Sequence, residues 1–230
     1  QYRLFDLPFM FKNIDAIDAF QSSETGQEMK SAMVKRGILG LEFWHNGLKQ
    51  LSATEPLLTP SDAAGMKFRV MASDVLVAQF KALDAVPQKM AFSEVYQGLQ
   101  SGTIQGQENT YSNIYGKKFF EVQDSVTESN HGILDYMVVT STEFWDGLPN
   151  DIRNQLETIL REVTVSRNAQ SFAVNEANKE AILATGKTIH VLTDEQRAQW
   201  KAAMLPVWDE FKDDVGQENI DAAQAINAQY

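Results

Sequence analysis

The chain is predicted to be an α/β protein of two lobes. Short apolar runs alternate with longer amphipathic stretches throughout, the pattern of strands interleaved with helices. The stretch from Pro149 to about Thr185 keeps helical apolar spacing with no internal proline or glycine; as one helix it extends on the order of 50 Å, more than one small lobe can accommodate. The chain has 230 residues, 43% of them hydrophobic and 22% charged, which is enough for two compact bodies.

Taken in order, the strands are Gly40–Trp44, Lys67–Val70, Pro87–Met90, Ile104–Glu108, Tyr136–Thr140 and Thr188–Leu192, each a short run of half-buried type. Thr59-Pro60 supplies an N-cap followed by proline in the first turn, and Ser73 or Asp74 caps a helix over Val75–Leu83. Ser93 caps Glu94–Gln100, which Gly102 stops. The long helix follows, with Ile152, Leu156, Ile159, Leu160 and Val163 on a stripe that drifts away from strict heptads. Thr193-Asp194-Glu195-Gln196 is a capping box that opens the last long helix, and Pro206 breaks it. Gly98, Gly102 and Gly106 fall every four residues across a helix end and read as turn glycines.

Composition removes several classes of function. A net charge of −11 opposes nucleic-acid binding, which needs a basic face. No cysteine is present, so disulfides, thiolate metal sites and cysteine nucleophiles are absent together. No apolar run approaches a membrane span. His45, His131 and His190 lie far apart without metal-ligand spacing, and no Gly-x-Ser-x-Gly elbow occurs. The sequence calls for no metal, no cofactor and no catalytic residues.

What remains is a pair suited to an organic acid. Arg69 lies in Lys67-Phe68-Arg69-Val70 and Asn109 closes Gln107-Glu108-Asn109. A guanidinium presents a rigid fork that fits a carboxylate bidentately, and an asparagine amide donates to the same oxygens. From the residues alone, an ion-paired arginine and a turn-forming asparagine are the competing readings.

A wider pattern surrounds the pair. Gly65-Met66-Lys67-Phe68-Arg69, the segment Pro87 to Gly102 containing Met90-Ala91-Phe92-Ser93-Glu94-Val95-Tyr96, and Gln105 to Asn109 are similar to the signature of the solute-binding proteins of TRAP transporters (tripartite ATP-independent periplasmic transporters). The likeness extends through Trp44 to Gln50, Lys118 to Gln123 and Phe144 to Pro149, so it spans essentially the whole chain. It resembles the C4-dicarboxylate-binding branch: Gly47-Leu48-Lys49-Gln50 has the lysine common there, where many relatives, sialic-acid binders among them, have arginine.

The resemblance implies a type II-like periplasmic binding protein with mixed sheets and a long helix crossing both lobes. It places residues 1–46 and 135–174 in the first lobe and 47–134 and 175–230 in the second, and implies that an N-terminal part of the first lobe is missing. Malate, succinate or fumarate would bind between the lobes, held by Arg69, Asn109 and Lys49 with Phe92 and Trp44 as apolar walls. The protein would work in the periplasm and deliver its ligand to TRAP membrane permease subunits without inserting into the membrane. A sugar acid, sialic acid or 2-oxo acid is the alternative ligand, and a lyase or isomerase using Glu108 or His45 as base is the alternative class. Asp84 stands where the family commonly has glycine, Gln105 where it often has aspartate and Thr110 where it often has proline.

Overall fold

The strand expected at Gly40–Trp44 does not stop at Trp44. In the computed structural model, which describes residues 1–230, β1 runs from Ile38 to Ala53 and β5 from Ser125 to Ser141. The two pair antiparallel from Ile38 opposite Ser141 to Ala53 opposite Ser125, with register shifts at Gly40/Glu42, His45/Gly47 and Lys49/Leu51. His45, Asn46, Lys49 and Gln50, polar residues beyond the expected strand end, are all buried. Their side chains find partners elsewhere in the fold, so these four residues do not interrupt the ladder.

Around this ladder, β2 (Lys67–Val70), β3 (Val86–Lys89), β4 (Gly106–Asn109) and β6 (Thr188–Val191) complete one mixed sheet in the order β3-β2-β4-β1-β5-β6. β2 is parallel to both β3 and β4, β4 is antiparallel to β1, and β6 is parallel to β5. This α/β sheet with flanking helices is the predicted class.

Ten α-helices accompany it: α1 (Ile14–Ser22), α2 (Glu24–Met29), α3 (Asp74–Lys81), α4 (Val95–Gln100), α5 (Tyr111–Gly116), α6 (Thr142–Asp146), α7 (Asn150–Ala184), α8 (Asp194–Met204), α9 (Pro206–Val215) and α10 (Gln217–Asn227). Ser73 caps α3 by accepting from the Leu76 amide. Thr193 and Gln196 form the reciprocal box that opens α8, which ends at Met204 before Pro206 starts α9. Ser93 does not cap. A 3-10 turn at Phe92–Glu94 runs into α4, and neither has a side-chain cap. Thr59-Pro60 likewise opens only a 3-10 turn, Pro60–Ala63.

The long helix is present as α7, 35 residues packed across β1 and α5. Only Ser171 and Ile182 are buried along it, and Phe172 is 64% exposed. Asparagines attach it instead of an apolar stripe. Asn168 donates to the Phe43 carbonyl at 3.0 Å and accepts from the His45 amide at 2.9 Å, and Asn175 donates to the Asn46 carbonyl at 2.7 Å.

The three spaced glycines do different things. Gly102 has φ +71 and is a turn residue, as predicted. Gly98 and Gly106 are not: a Cβ on Gly98 would lie 3.1 Å from Ile104 and Met90, and one on Gly106 would lie 2.4 Å from the Phe68 ring. Both are there for close packing. Asp84 adopts φ +55, a left-handed geometry that glycine takes freely and aspartate tolerates.

Two apolar clusters fix the strand ends that matter. Phe68 and Phe80 stack at 4.7 Å in a core with Leu51, Val70, Leu76, Trp200 and Met204, which clamps β2. Val95, Leu99, Ile104, Ile114 and Phe119 form a second core beneath α4 and α5. Each fully buried side chain of this size contributes about 1.5–3 kcal/mol. A third core packs the N-terminal residues Leu4, Leu7, Ile17 and Phe20 against Val207, Phe211 and Ile220 of the C-terminal helices.

Candidate functional site

β2 carries Arg69 between the buried Phe68 and Val70, leaving the residue only 3% exposed. Its Nε donates to the Met90 carbonyl at 3.0 Å, and its two terminal nitrogens bond no group of the protein. Burial pushes its pKa down and the charge of Glu108 pulls it back; an arginine remains protonated through such a shift. The result is a nearly buried cation with no ion-pair partner.

Asn109 ends β4, next to β2 in the sheet, with its backbone opposite Gln50. Its Oδ1 accepts from Asn113 Nδ2 at 2.6 Å, which fixes the amide orientation. The Asn109 Nδ2 donates to no protein group, so it is a free donor on the strand beside that of Arg69.

Lys49 is elsewhere engaged. It is 1% exposed, and its Nζ donates to Glu108 Oε1 at 2.9 Å. Glu108 Oε2 lies 2.7 Å from His131 Nε2, and His131 Nδ1 lies 2.7 Å from Ser129 Oγ. Burial alone would raise the Glu108 pKa, but the Lys49 charge and the hydrogen bonds from His131 and Lys49 outweigh it and hold the group at about 2. Burial pushes His131 down despite the opposing pull of Glu108. Lys49 and Glu108 therefore form an ion pair beside a neutral imidazole, in which Nε2–H donates to the carboxylate and Nδ1 accepts from the serine hydroxyl. Asp6 is in the same field. Burial and Glu108 raise its pKa, while Lys49, a hydrogen bond from Ser73 at 2.7 Å and Arg3 act the other way.

Phe92 is half-buried and meets Phe119 edge-on at 5.8 Å. Its ring centre lies 5.8 Å from the Arg69 guanidinium carbon. Arg69 and Phe92 are thus directly together; Asn109 lies on the next strand and Lys49 behind it through Glu108. Trp44 does not join them. It precedes the register shift at His45/Gly47, which re-aims the strand, and its indole faces α7, donating to Thr164 Oγ1 at 2.8 Å.

Residues that the sequence reading did not single out are Asn113, Ser129 and Lys117, whose Nζ lies 5.6 Å from the Phe92 centroid. Asn113 and Lys117 were missed because the short helix α5 was not recognised; the Thr110 hydroxyl that caps it, accepting from the Asn113 amide, was the available signal. The main cavities lie away from the Arg69 face. One of about 430 Å³ runs along α7 past Gly47, Gln50, Tyr111 and Asn175, and another of about 580 Å³ is lined by Glu42, Trp145 and Arg161. The chemistry favours the Arg69 face, because a nearly buried cation without an ion-pair partner is there.

A sheet whose strand ends carry a nearly buried arginine and a free amide donor has the makings of a solute-binding protein. The chain belongs to the family of bacterial extracellular solute-binding proteins, family 7 (DctP), whose pattern its residues 1–214 match. It is 60% identical over 227 residues to the C4-dicarboxylate-binding periplasmic protein DctP of Vibrio cholerae, covering 99% of this chain and 68% of that one. Among solved structures it is similar to a TRAP periplasmic solute-binding protein from Shewanella oneidensis with bound succinate, at 49% identity and a TM-score of 0.96 over 98% of this chain and 74% of that one. A Pseudomonas aeruginosa TRAP solute-binding protein with bound L-malate gives 42% identity and a TM-score of 0.88 over 90% of this chain and 73% of that one.

Proposed function

We propose that the protein is the extracytoplasmic, periplasmic binding component of a TRAP transporter and captures a C4-dicarboxylate such as succinate, malate or fumarate. The observation that carries this is Arg69, a residue 3% exposed whose terminal guanidinium nitrogens have no protein partner. A ligand carboxylate supplies the bidentate acceptor it lacks. Asn109 Nδ2 donates to the same carboxylate and Phe92 walls the site. Lys49 is kept in this reading as a further contact, since it has two N–H donors beyond the one given to Glu108. The names and bound ligands of the relatives support a four-carbon diacid over a sugar acid, sialic acid or 2-oxo acid.

The ligand leaves unchanged and passes to the membrane permease subunits. A general base for lyase or isomerase chemistry needs a pKa near the working pH; Glu108 is held at about 2 and is engaged on both oxygens. His45 is bonded to Asp135 at 2.8 Å and to Asp18 at 3.3 Å, among acidic groups and not beside Arg69.

The lobes divide at 46/47, 134/135 and 174/175, with residues 1–46 and 135–174 in the first and 47–134 and 175–230 in the second. The β1–β5 register shift at His45/Gly47 supports this hinge, since there the partners step from Asp135 to Leu134. Closure about these two strands traps the ligand. Gly47, at φ +153, has no room for a side chain, because a Cβ would lie 2.7 Å from Asn175 Nδ2. Gly47→Ala is expected to cost about 1–3 kcal/mol of stability in urea unfolding, and adding Asn175→Ala should recover part of the clash. Equal stability of Gly47→Ala and the parent would remove the hinge packing from the account.

A thermal-shift panel tests the ligand class, because a ligand that binds only the folded state raises the melting temperature by mass action. Succinate, malate and fumarate should raise it, whereas glucuronate, sialic acid and pyruvate should not. A shift with the sugar acids and none with any diacid would overturn the proposal.

A further inference from the structure

We propose that Lys117 is the second cation of the site, taking the distal carboxylate of the diacid and so selecting two carboxylates over one. The inference rests on the C4-dicarboxylate reading above. It starts from the charges around the site. Lys49 and Glu108 cancel, and His131 is neutral between Glu108 and Ser129. Asp6, joined to Ser73, adds no positive charge. Arg69 is then the only uncompensated cation of the buried cluster, and one positive charge balances half of a dianion.

Lys117 is the nearby cation not already spent. It follows α5, where its own amide caps the helix by donating to the Asn113 and Tyr115 carbonyls. Its ammonium group has no carboxylate partner, whereas Lys118 pairs with Glu121 at 3.4 Å and Lys89 with Asp74 at 2.7 Å. It addresses the same aromatic ring as Arg69: Lys117 Nζ is 5.6 Å and the Arg69 guanidinium carbon 5.8 Å from the Phe92 centroid. Their cationic centres can be no further apart than those two distances together, about 11 Å. An extended four-carbon diacid has carboxyl carbons ~4 Å apart, and charge-assisted contacts of about 2.7–2.9 Å at each end let it bridge cations roughly 10 Å apart. Lys117 is exposed on a flexible four-carbon stem, which allows it to meet a ligand already seated on Arg69.

Calorimetric titration of the parent, Lys117→Gln and Lys117→Arg with succinate and with monomethyl succinate tests this. The methyl ester keeps the chain length and removes one charge. Lys117→Gln should bind succinate at least tenfold more weakly, Lys117→Arg should stay close to the parent, and the methyl ester should not distinguish the parent from Lys117→Gln. The melting temperature without ligand should be the same in all three proteins, since the side chain is on the surface. Equal succinate affinity in the parent and Lys117→Gln, or a parallel loss for both ligands, overturns the assignment of Lys117 and leaves the diacid reading standing. A parent that binds no diacid overturns the functional reading itself, and the role of Lys117 with it.

Discussion

Arg69→Ala is expected to abolish measurable binding of succinate while leaving the unliganded protein folded. A hydrogen bond to a charged group contributes roughly 1.5–3 kcal/mol, and a bidentate carboxylate contact makes two of them. A micromolar complex is worth about 8 kcal/mol, so losing the pair moves the dissociation constant into the millimolar range or beyond. The fold should survive. The substitution removes a desolvated cation that has no ion-pair partner, and within the protein only the Met90 carbonyl loses a bond. Arg69→Lys keeps the charge but not the fork, and it should fall between the two. Calorimetry with succinate decides the matter. An affinity within tenfold of the parent in Arg69→Ala would show that the carboxylate is held elsewhere.

Glu108→Gln is expected to have the opposite profile, with a large loss of stability before any effect on ligand. It strips the buried Lys49 of its counter-ion and His131 of a charged acceptor, and breaking such a pair costs about 3–5 kcal/mol. The pH dependence carries its own signature. The Glu108 pKa falls from 4.5 to about 2 on folding. Between those values the unfolded chain binds more protons than the native one, so the stabilisation is complete above pH 4.5 and is lost as pH falls towards 2. His131, lowered from 6.5, acts in the same sense: its contribution is full above 6.5 and is lost as pH drops below it. His45 is raised despite its burial, through Asp135 and Asp18, so its contribution is present below 6.5 and is lost as pH rises through its folded value. Urea unfolding from pH 2 to 8 should therefore show an acid limb below 4.5 in the parent that flattens in Glu108→Gln. An identical limb in both would mean that Glu108 is not the group responsible.

Local signals carried much of the architecture. The boundaries of β2, the caps of α3 and α8, the break at Pro206 and the length of α7 all follow from residues that act within one turn of themselves. The middle of β1 and β5 did not, because His45, Asn46, Lys49 and Gln50 are acceptable in a strand only when Asp135, Thr110, Glu108 and Asn130 come to meet them from far along the chain. Gly98 and Gly106 misled for a related reason: glycine marks a turn or a close neighbour with the same letter, and the neighbours here are tertiary. At the candidate site, the motif pointed to Arg69, Asn109 and Phe92, of which the structure sets Arg69 against the Phe92 ring. The engagement of Lys49 by Glu108 and the turning of Trp44 towards α7 depend on strand register, which one residue's slip reverses. Lys117 could not be found without knowing that α5 delivers it to the Phe92 ring.

The most direct measurement is a crystal structure of the protein grown with succinate. One carboxylate should lie within hydrogen-bonding distance of both Arg69 terminal nitrogens and of Asn109 Nδ2, with the carbon chain against Phe92. Succinate found instead in the groove along α7, between Gly47 and Asn175, with the Arg69 terminal nitrogens still free of it, would contradict the account.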